Sequence, residues 1–372
     1  MKIALVHEFL TQFGGAERVL QNFMEIWPDA DLHVLVHSPN KIDHVFDKYK
    51  IKTSFINRLP GVHSDHKWYL PLMPLGAQSF DFKGYDVVLT DSSSFAKGIK
   101  RGKYLHINYC HTPTRFLWSE SREYLKSTKY PFFIKWLAIP ILRLLKEWDY
   151  KAAQRPQYII ANSKNVQERI KKYYNRDAEV IPPPVDTEFF RPTGEKNDYY
   201  FAASRLEPYK NIDLVIKAFN ELGWPLKVAG SGTAEEYLKS IAKPNIEFLG
   251  RVSDEQLRQH YSASKAFIFA AEEDAGIMVL EAQSCGTPVI AFAKGGSLET
   301  VVPNKTGLFF NDQTSQSLIE VLKTFDASKF NASEIRLHAQ DYDKKTFQSR
   351  IVHFIEDKRQ QYGKTISTDK IA

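Results

Sequence analysis

Cysteine is scarce: the 372 residues hold two, Cys110 and Cys285. No disulfide framework can be built on them, and a reducing compartment fits. Neither has the neighbours of a metal site or a redox pair, so both are expected to be small buried residues. Long apolar runs are lacking as well. The opening MKIALVHEFL carries a run too short for a signal peptide, broken at His7 and Glu8. No stretch reaches the length of a membrane span. The expectation is a cytoplasmic protein, free to sit against the inner face of the plasma membrane. Low-complexity tracts are missing, and the one internal echo is at the scale of a whole domain.

What is present describes a soluble globular chain. Hydrophobic residues make up 43% and charged residues 25%, which leaves no room for extensive disorder. The length favours two domains over one core. The net charge of +6 is uneven: up to Val185 there are 27 Lys and Arg against 18 Asp and Glu, and afterwards 23 against 26. A basic first half fits an anionic partner, such as a phosphorylated substrate or an acidic membrane surface. The basic residues form no recognised nucleic-acid module, so nucleic acid is not expected.

Apolar runs alternate with helical periods. KIALVHEF, DLHVLVHS, YDVVLTDSSS, KYLHINYCHTP and PQYIIANSK read as buried parallel strands, and AEVIPPPVD closes that series with a stiff exit. The alternation restarts with DYYFAASRL, PLKVAGSG, NIEFLG, KAFIFAA, PVIAFA and TGLFF. This is an α/β chain of two doubly wound units. The expected boundaries are 1–190 for the first, 191–345 for the second, a helix over 346–362 and a tail over 363–372. Two such sheets imply a cleft between them, with ligands at the carboxyl ends of the strands. The residues just after each strand therefore carry the candidates: Gly14 and Gly15, Asp91, His111, Ser163, Arg205, Gly230 and Glu273. For Asp91 a turn, and for Ser163 a helix cap, are adequate explanations.

VAGSGTAEEY offers G-x-G between a strand and a helix. The third glycine and the distant acid of a dinucleotide-binding loop are missing, so nicotinamide binding is not expected. Arg205 and Lys210 in SRLEPYKN are a better signal. Two cations between a strand and a helix suit a diphosphate, although paired surface cations would look the same. In EEDAGIMVLEAQSCGTPVIA, Glu273 and Glu281 are separated by seven residues. Gly276 permits close backbone approach to a ligand. Composition alone leaves a capping acid and a helix acid as equally good readings of the pair.

E-x7-E followed by SCGTPVIA and GGSLETV closely resembles the family 4 retaining glycosyltransferases, which have the two-domain GT-B fold. SRLEPYKNIDLVIKAF, AGSG, FLGRVSDEQL and NKTGLFF extend the likeness over nearly the whole chain. GGAERVL, SSSFAKG, CHTPTRFLW and ANSKNVQERIKKYY resemble the branch of mannosyltransferases in bacterial O-antigen and exopolysaccharide assembly. The resemblance implies a nucleotide-sugar donor with Arg205 and Lys210 on its diphosphate and Glu281 on its ribose. It implies Glu273 on the donor sugar, and Gly250, Arg251 and Val252 beside the base. Amides of Gly276, Ile277 and Met278 would meet sugar and phosphate, and Gly14 and Gly15 would close on the diphosphate. His111 would lie near the sugar's primary hydroxyl and the acceptor. Where the family has Gly-Phe-Gly after its first Glu, this chain has Asp274-Ala275-Gly276, which bears on sugar choice.

The implied function is retaining transfer of a hexose, with mannose from GDP-mannose the leading donor, to a lipid-linked saccharide acceptor. No metal or other cofactor is expected, because two cations can stabilise the leaving diphosphate. A UDP-sugar donor and a GT-B sugar-nucleotide epimerase are the alternatives. Residues 130–147 pose a separate question. At about 100° per residue, Lys135, Arg143 and Lys146 share one arc of about 80°, with apolar side chains around much of the rest and Pro140 as a kink. A helix in the membrane interface and a helix packed in the first domain are both open readings.

Overall fold

The computed structural model describes residues 1–42, 44–119 and 132–368; for 132–137 and 365–368 it describes the backbone. The chain forms two compact units, one of Met1–Pro182 with Gln348 onward, the other of Pro183–Phe347.

The first unit holds a seven-stranded sheet of β1 (Ile3–Leu10), β2 (Asp31–His37), β3 (Ile51–Thr53), β4 (Val87–Ser92), β5 (Leu105–Cys110), β6 (Tyr158–Ala161) and β7 (Glu179–Val180). Their order is β3-β2-β1-β4-β5-β6-β7, and every pairing is parallel. β4 and β5 are buried along their whole length, and β1 nearly so. That is why they read as largely apolar runs, with buried polar residues such as His7, Asp91, His106 and Asn108 set into them: helices cover both faces of such a sheet. The helix Gly15–Ile26 lays Val19, Leu20, Phe23 and Met24 onto it.

The second unit holds β8 (Tyr200–Ala203), β9 (Leu226–Ala229), β10 (Ile246–Gly250), β11 (Phe267–Phe269), β12 (Val289–Phe292) and β13 (Gly307–Phe310). The order is β10-β9-β8-β11-β12-β13, again all parallel. Both units are thus Rossmann-like. In each sheet the winding reverses once, between β1 and β4 and between β8 and β11. Ligands of open α/β sheets bind at such switch points, beyond the strands' carboxyl ends.

The units divide at Pro182, ahead of the expected residue 190. Val185 accounts for this: its N–H donates to the Tyr342 carbonyl at 2.9 Å and its carbonyl accepts from Lys344 N–H at 3.0 Å. Phe190 is buried in the core of the second unit. The last long helix begins at Lys344, before the expected 346, and continues to Thr368, past 362. Asp343 starts it, accepting from the Lys345 N–H at 2.8 Å. Gly363 lowers helix propensity without ending the helix.

The helix Phe132–Ala153 contains Pro140. Residues 130 and 131, and the side chains of 132–137 with Lys135, lie outside the described residues. In the remainder Leu145 is buried and Leu142 and Trp148 pack on the first unit's core. Ile139, Ile141 and Leu144 are exposed, Leu144 to 67%. Among the described residues no helix is long and apolar enough to cross a membrane.

Candidate active site

The switch point of the second sheet collects the charged residues. After β8 the chain turns through Arg205 and the short helix Pro208–Lys210 before the helix Ile212–Leu222. After β11 it runs through Glu273 to the helix Ile277–Ser284. The Lys210 ammonium forms an ion pair with the Glu273 carboxylate. Arg205 is exposed and donates from Nη2 to the Tyr209 hydroxyl at 2.5 Å. Lys210 Nζ also lies 5.0 Å from the Tyr209 ring centre. Tyr209 therefore contacts both cations, a role that its position in the sequence did not announce.

Gly276 caps the helix Ile277–Ser284 in the left-handed region, at φ 68°. That turn presents the first helical amides, of Ile277 and Met278, at the same sheet edge, and free helical N–H groups suit anions. Glu281, one turn on, is buried and accepts from the Tyr261 hydroxyl at 3.2 Å. Gly250 ends β10 at φ 67°, and its carbonyl accepts from the Gly230 N–H at 2.8 Å. Arg251 follows it, exposed, and Val252 packs against the core.

Two glycines hold these loops. A Cβ on Gly296 would come within 2.6 Å of the Ala275 Cα, and its N–H donates to the Glu273 carbonyl at 2.7 Å. The GGSLET motif thus supports the Glu273 loop from behind. A Cβ on Gly230 would lie 1.8 Å from the Ser204 carbonyl oxygen. The G-x-G of VAGSG serves close packing of the β8 and β9 exits.

At the switch point of the first sheet, Gly14 precedes the helix that Gly15 begins, and its N–H donates to Glu17 Oε2 at 2.8 Å. His111 follows β5, and its Nε2 lies 2.6 Å from Asp91 Oδ1. Asp91 is not a solvated turn residue: it is 1% exposed, and its Oδ2 lies 2.8 Å from His7 Nδ1. Ser163 is a helix cap, accepting from the Val166 N–H at 3.1 Å. Cys110 and Cys285 are both buried, and neither forms a disulfide. Among the described residues no cluster of three His, Cys, Asp or Glu could hold a metal ion.

Burial opposes charge on His7, yet the hydrogen bonds and charges of Asp91 and Glu17 outweigh it and lift its pKa to about 10. Burial likewise works against the Asp91 carboxylate, and His111 and His7 overcome it and hold its pKa below the usual range. Two other histidines go the opposite way. Burial pushes His33, ringed by Phe80, Phe82 and Tyr85, down to about 4, and His106 down to about 3. Both bind a proton when unfolded below their ordinary value of 6.5 and not when folded. Each then removes up to about 1.4 kcal/mol of stability per pH unit of acidification. His7 opposes this fall only slightly, near pH 6.5, since a raised pKa withdraws stability as pH climbs from about 6.5 towards about 10. Melting temperature should therefore fall from about pH 6.5 to about pH 5, and less steeply in His33→Leu. A flat profile in the wild type would contradict the neutral burial of these rings.

Residues 13–189 match the model described as Glycosyltransferase Family 4, and residues 185–358 that of Glycosyl transferases group 1. The chain belongs to the glycosyltransferases. It is 37% identical over 139 residues to a GDP-mannose-dependent monoacylated alpha-(1-6)-phosphatidylinositol monomannoside mannosyltransferase of Corynebacterium glutamicum, a match to 32% of this chain and 36% of the relative. It is 31% identical over 179 residues to a GDP-mannose-dependent alpha-(1-6)-phosphatidylinositol monomannoside mannosyltransferase of Mycobacterium tuberculosis, over 39% of this chain and 46% of the relative. This glycosyltransferase thus matches less than half the length of these two relatives. Its fold is that of Anabaena HepE, solved in complex with UDP, with a TM-score of 0.74, 18% identity and coverage of 96% of this chain and 100% of that one.

Proposed function

We propose that this glycosyltransferase moves a hexose, with retention, from GDP-mannose to a lipid-linked saccharide acceptor in bacterial surface polysaccharide biosynthesis. The observation that carries the reading is the meeting of Lys210 and Glu273 at the switch point of the second sheet, beside the Gly276 turn. A nucleoside diphosphate leaving group gains charge on its β-phosphate oxygens as the bond to the sugar breaks. Lys210, Arg205 and the amides from Gly276 to Met278 are oriented donors for that charge. The chain's own cations supply this stabilisation, so the reaction as proposed needs no metal.

Retention follows from attack on the face that the phosphate leaves. The acceptor oxygen bonds to the anomeric carbon while the bond from that carbon to the phosphate oxygen breaks. The acceptor's proton passes to the departing phosphate. Glu273 accepts hydrogen bonds from sugar hydroxyls, and Glu281, supported by Tyr261, from the ribose. The GDP-mannose-dependent relatives support the donor; the UDP complex of the structural neighbour keeps a UDP-sugar as the alternative. The exposed Ile139, Ile141 and Leu144, with exposed Arg143 and Lys146 on the same helix, support contact with a membrane holding the acceptor.

A panel of nucleotide-sugars, read by thermal stabilisation and hydrolysis, tests the donor. GDP-mannose should stabilise most. Preference for a UDP-sugar would overturn the donor, and silence across the panel would overturn the reading. Co-sedimentation with vesicles of anionic lipid tests the membrane contact, which fails if the protein stays in the supernatant.

A further inference from the structure

The first unit contains a line of buried charge that the proposed chemistry leaves unused. It runs from the Gly14 N–H to Glu17 Oε2 at 2.8 Å, and from Glu17 Oε1 to His7 Nε2 at 3.8 Å. It continues from His7 Nδ1 to Asp91 Oδ2 at 2.8 Å and from Asp91 Oδ1 to His111 Nε2 at 2.6 Å. Strand register builds it. His7 on β1 is the direct neighbour of Asp91 on β4, and Asp91 of Tyr109 on β5. His111 lies two residues beyond Tyr109, on the same face by the alternation of a strand. The Tyr109 ring meets the His111 ring edge-on at 5.3 Å between centres and fixes its plane.

We propose that Asp91, His7 and Glu17 are positioning residues that fix His111 with its proton on Nε2 and Nδ1 towards substrate, and couple it to the Gly14–Gly15 turn. An ionised carboxylate can only accept, so the ring nitrogen facing Asp91 must carry a proton. That applies at both ends of Asp91. His7 has a second carboxylate, Glu17, at its other nitrogen, so it is held as an imidazolium between two anions. Glu17 in turn holds the Gly14 amide, so a shift of either end is felt at the other. A purely structural cluster would close on itself. This one ends on a ring whose side chain is 12% exposed and whose Nδ1 has no hydrogen-bond partner among the described residues. Nδ1 is left to meet a hydroxyl of the donor sugar or of the acceptor, a role that rests on the transfer reaction proposed above.

The test has an arm independent of that reaction. Two-bond proton–nitrogen spectra of protein labelled with nitrogen-15 histidine report which nitrogen of His111 is protonated. The wild type should show the proton on Nε2 at neutral pH, and Asp91→Asn should redistribute it between the two nitrogens. A wild-type His111 with its proton on Nδ1, or averaging between both, overturns the proposal whether or not the protein transfers sugar and whether or not the variant folds. The second arm uses GDP-mannose and UDP-glucose turnover. Asp91→Asn should lower kcat by about 100-fold with KM for the donor nearly unchanged, and adding it to His111→Ala should cost nothing more. Wild-type kcat in a folded Asp91→Asn protein, or losses that multiply in the double variant, would remove the positioning role. If neither donor turns over in the wild type, it is the transfer reading that fails, and the spectra alone decide the relay.

Discussion

Lys210→Ala should lower the turnover of sugar transfer by about 100- to 1,000-fold, the scale seen when one preorganised donor to a developing negative charge is removed. Arg205→Ala should cost less. Both cations sit after β8, but they sit differently. The Lys210 side chain is 13% exposed and ion-paired with Glu273, whereas Arg205 is exposed and in contact with the hydroxyl of Tyr209. A charge partly removed from solvent acts through a lower effective dielectric, and an exposed one is screened. Lys210→Arg should recover little, because a planar fork does not replace a point charge beside Glu273. The removal is expected in kcat more than in donor affinity, since the charge it meets develops as the leaving group departs. Steady-state kinetics on the preferred nucleotide-sugar decide this. Near-normal kcat in Lys210→Ala would move the diphosphate elsewhere. An Arg205 effect larger than the Lys210 effect would reverse the argument from burial.

Much of this site was legible because its signals are local. Arg205, Lys210, Glu273 and Gly276 each follow a strand that reads as an apolar run, and the switch-point rule then says which strand ends matter. The resemblance to family 4 supplies the roles proposed for them. The rest was hidden for one physical reason: parallel register is a tertiary fact. Nothing within the sequence aligns His7 with Asp91, which are 84 positions apart. His7 looked like a break in the first apolar run, and Asp91 like the start of a hydroxyl-rich turn. Lys97 is hidden in the same way, as one cation among many in a basic half. β3 carries little signal, because it is three residues long and none of them is buried. The helix Ala332–Gln340 buries only Ile335 and Ala339, so its periodicity is weak.

Lys97→Met should destabilise the first unit by about 3–5 kcal/mol, the scale for breaking a buried ion pair from one side. Lys97 and Asp149 are each 1% exposed, with Nζ and Oδ1 2.6 Å apart. Asp149 Oδ1 also accepts from the Thr114 hydroxyl at 2.8 Å, and its Oδ2 from Trp118 Nε1 and the Tyr174 hydroxyl, both at 2.8 Å. One carboxylate thus binds the turn after β4, the loop that follows His111, and the helices Phe132–Ala153 and Lys164–Tyr174. Gly98 lets these parts come together, since a Cβ there would lie 2.3 Å from the Trp148 ring. Without the ammonium, three neutral donors must stabilise a full buried charge, and they cannot replace it. Adding Asp149→Asn removes the stranded charge and keeps an acceptor for part of the network. The double variant should therefore be more stable than Lys97→Met alone, and a double-mutant cycle measures the coupling. Denaturant unfolding followed in the three variants supplies the numbers. A cost below about 1 kcal/mol for Lys97→Met would mean that the pair behaves as a solvated one. The carboxylate would then no longer explain how the His111 loop is held.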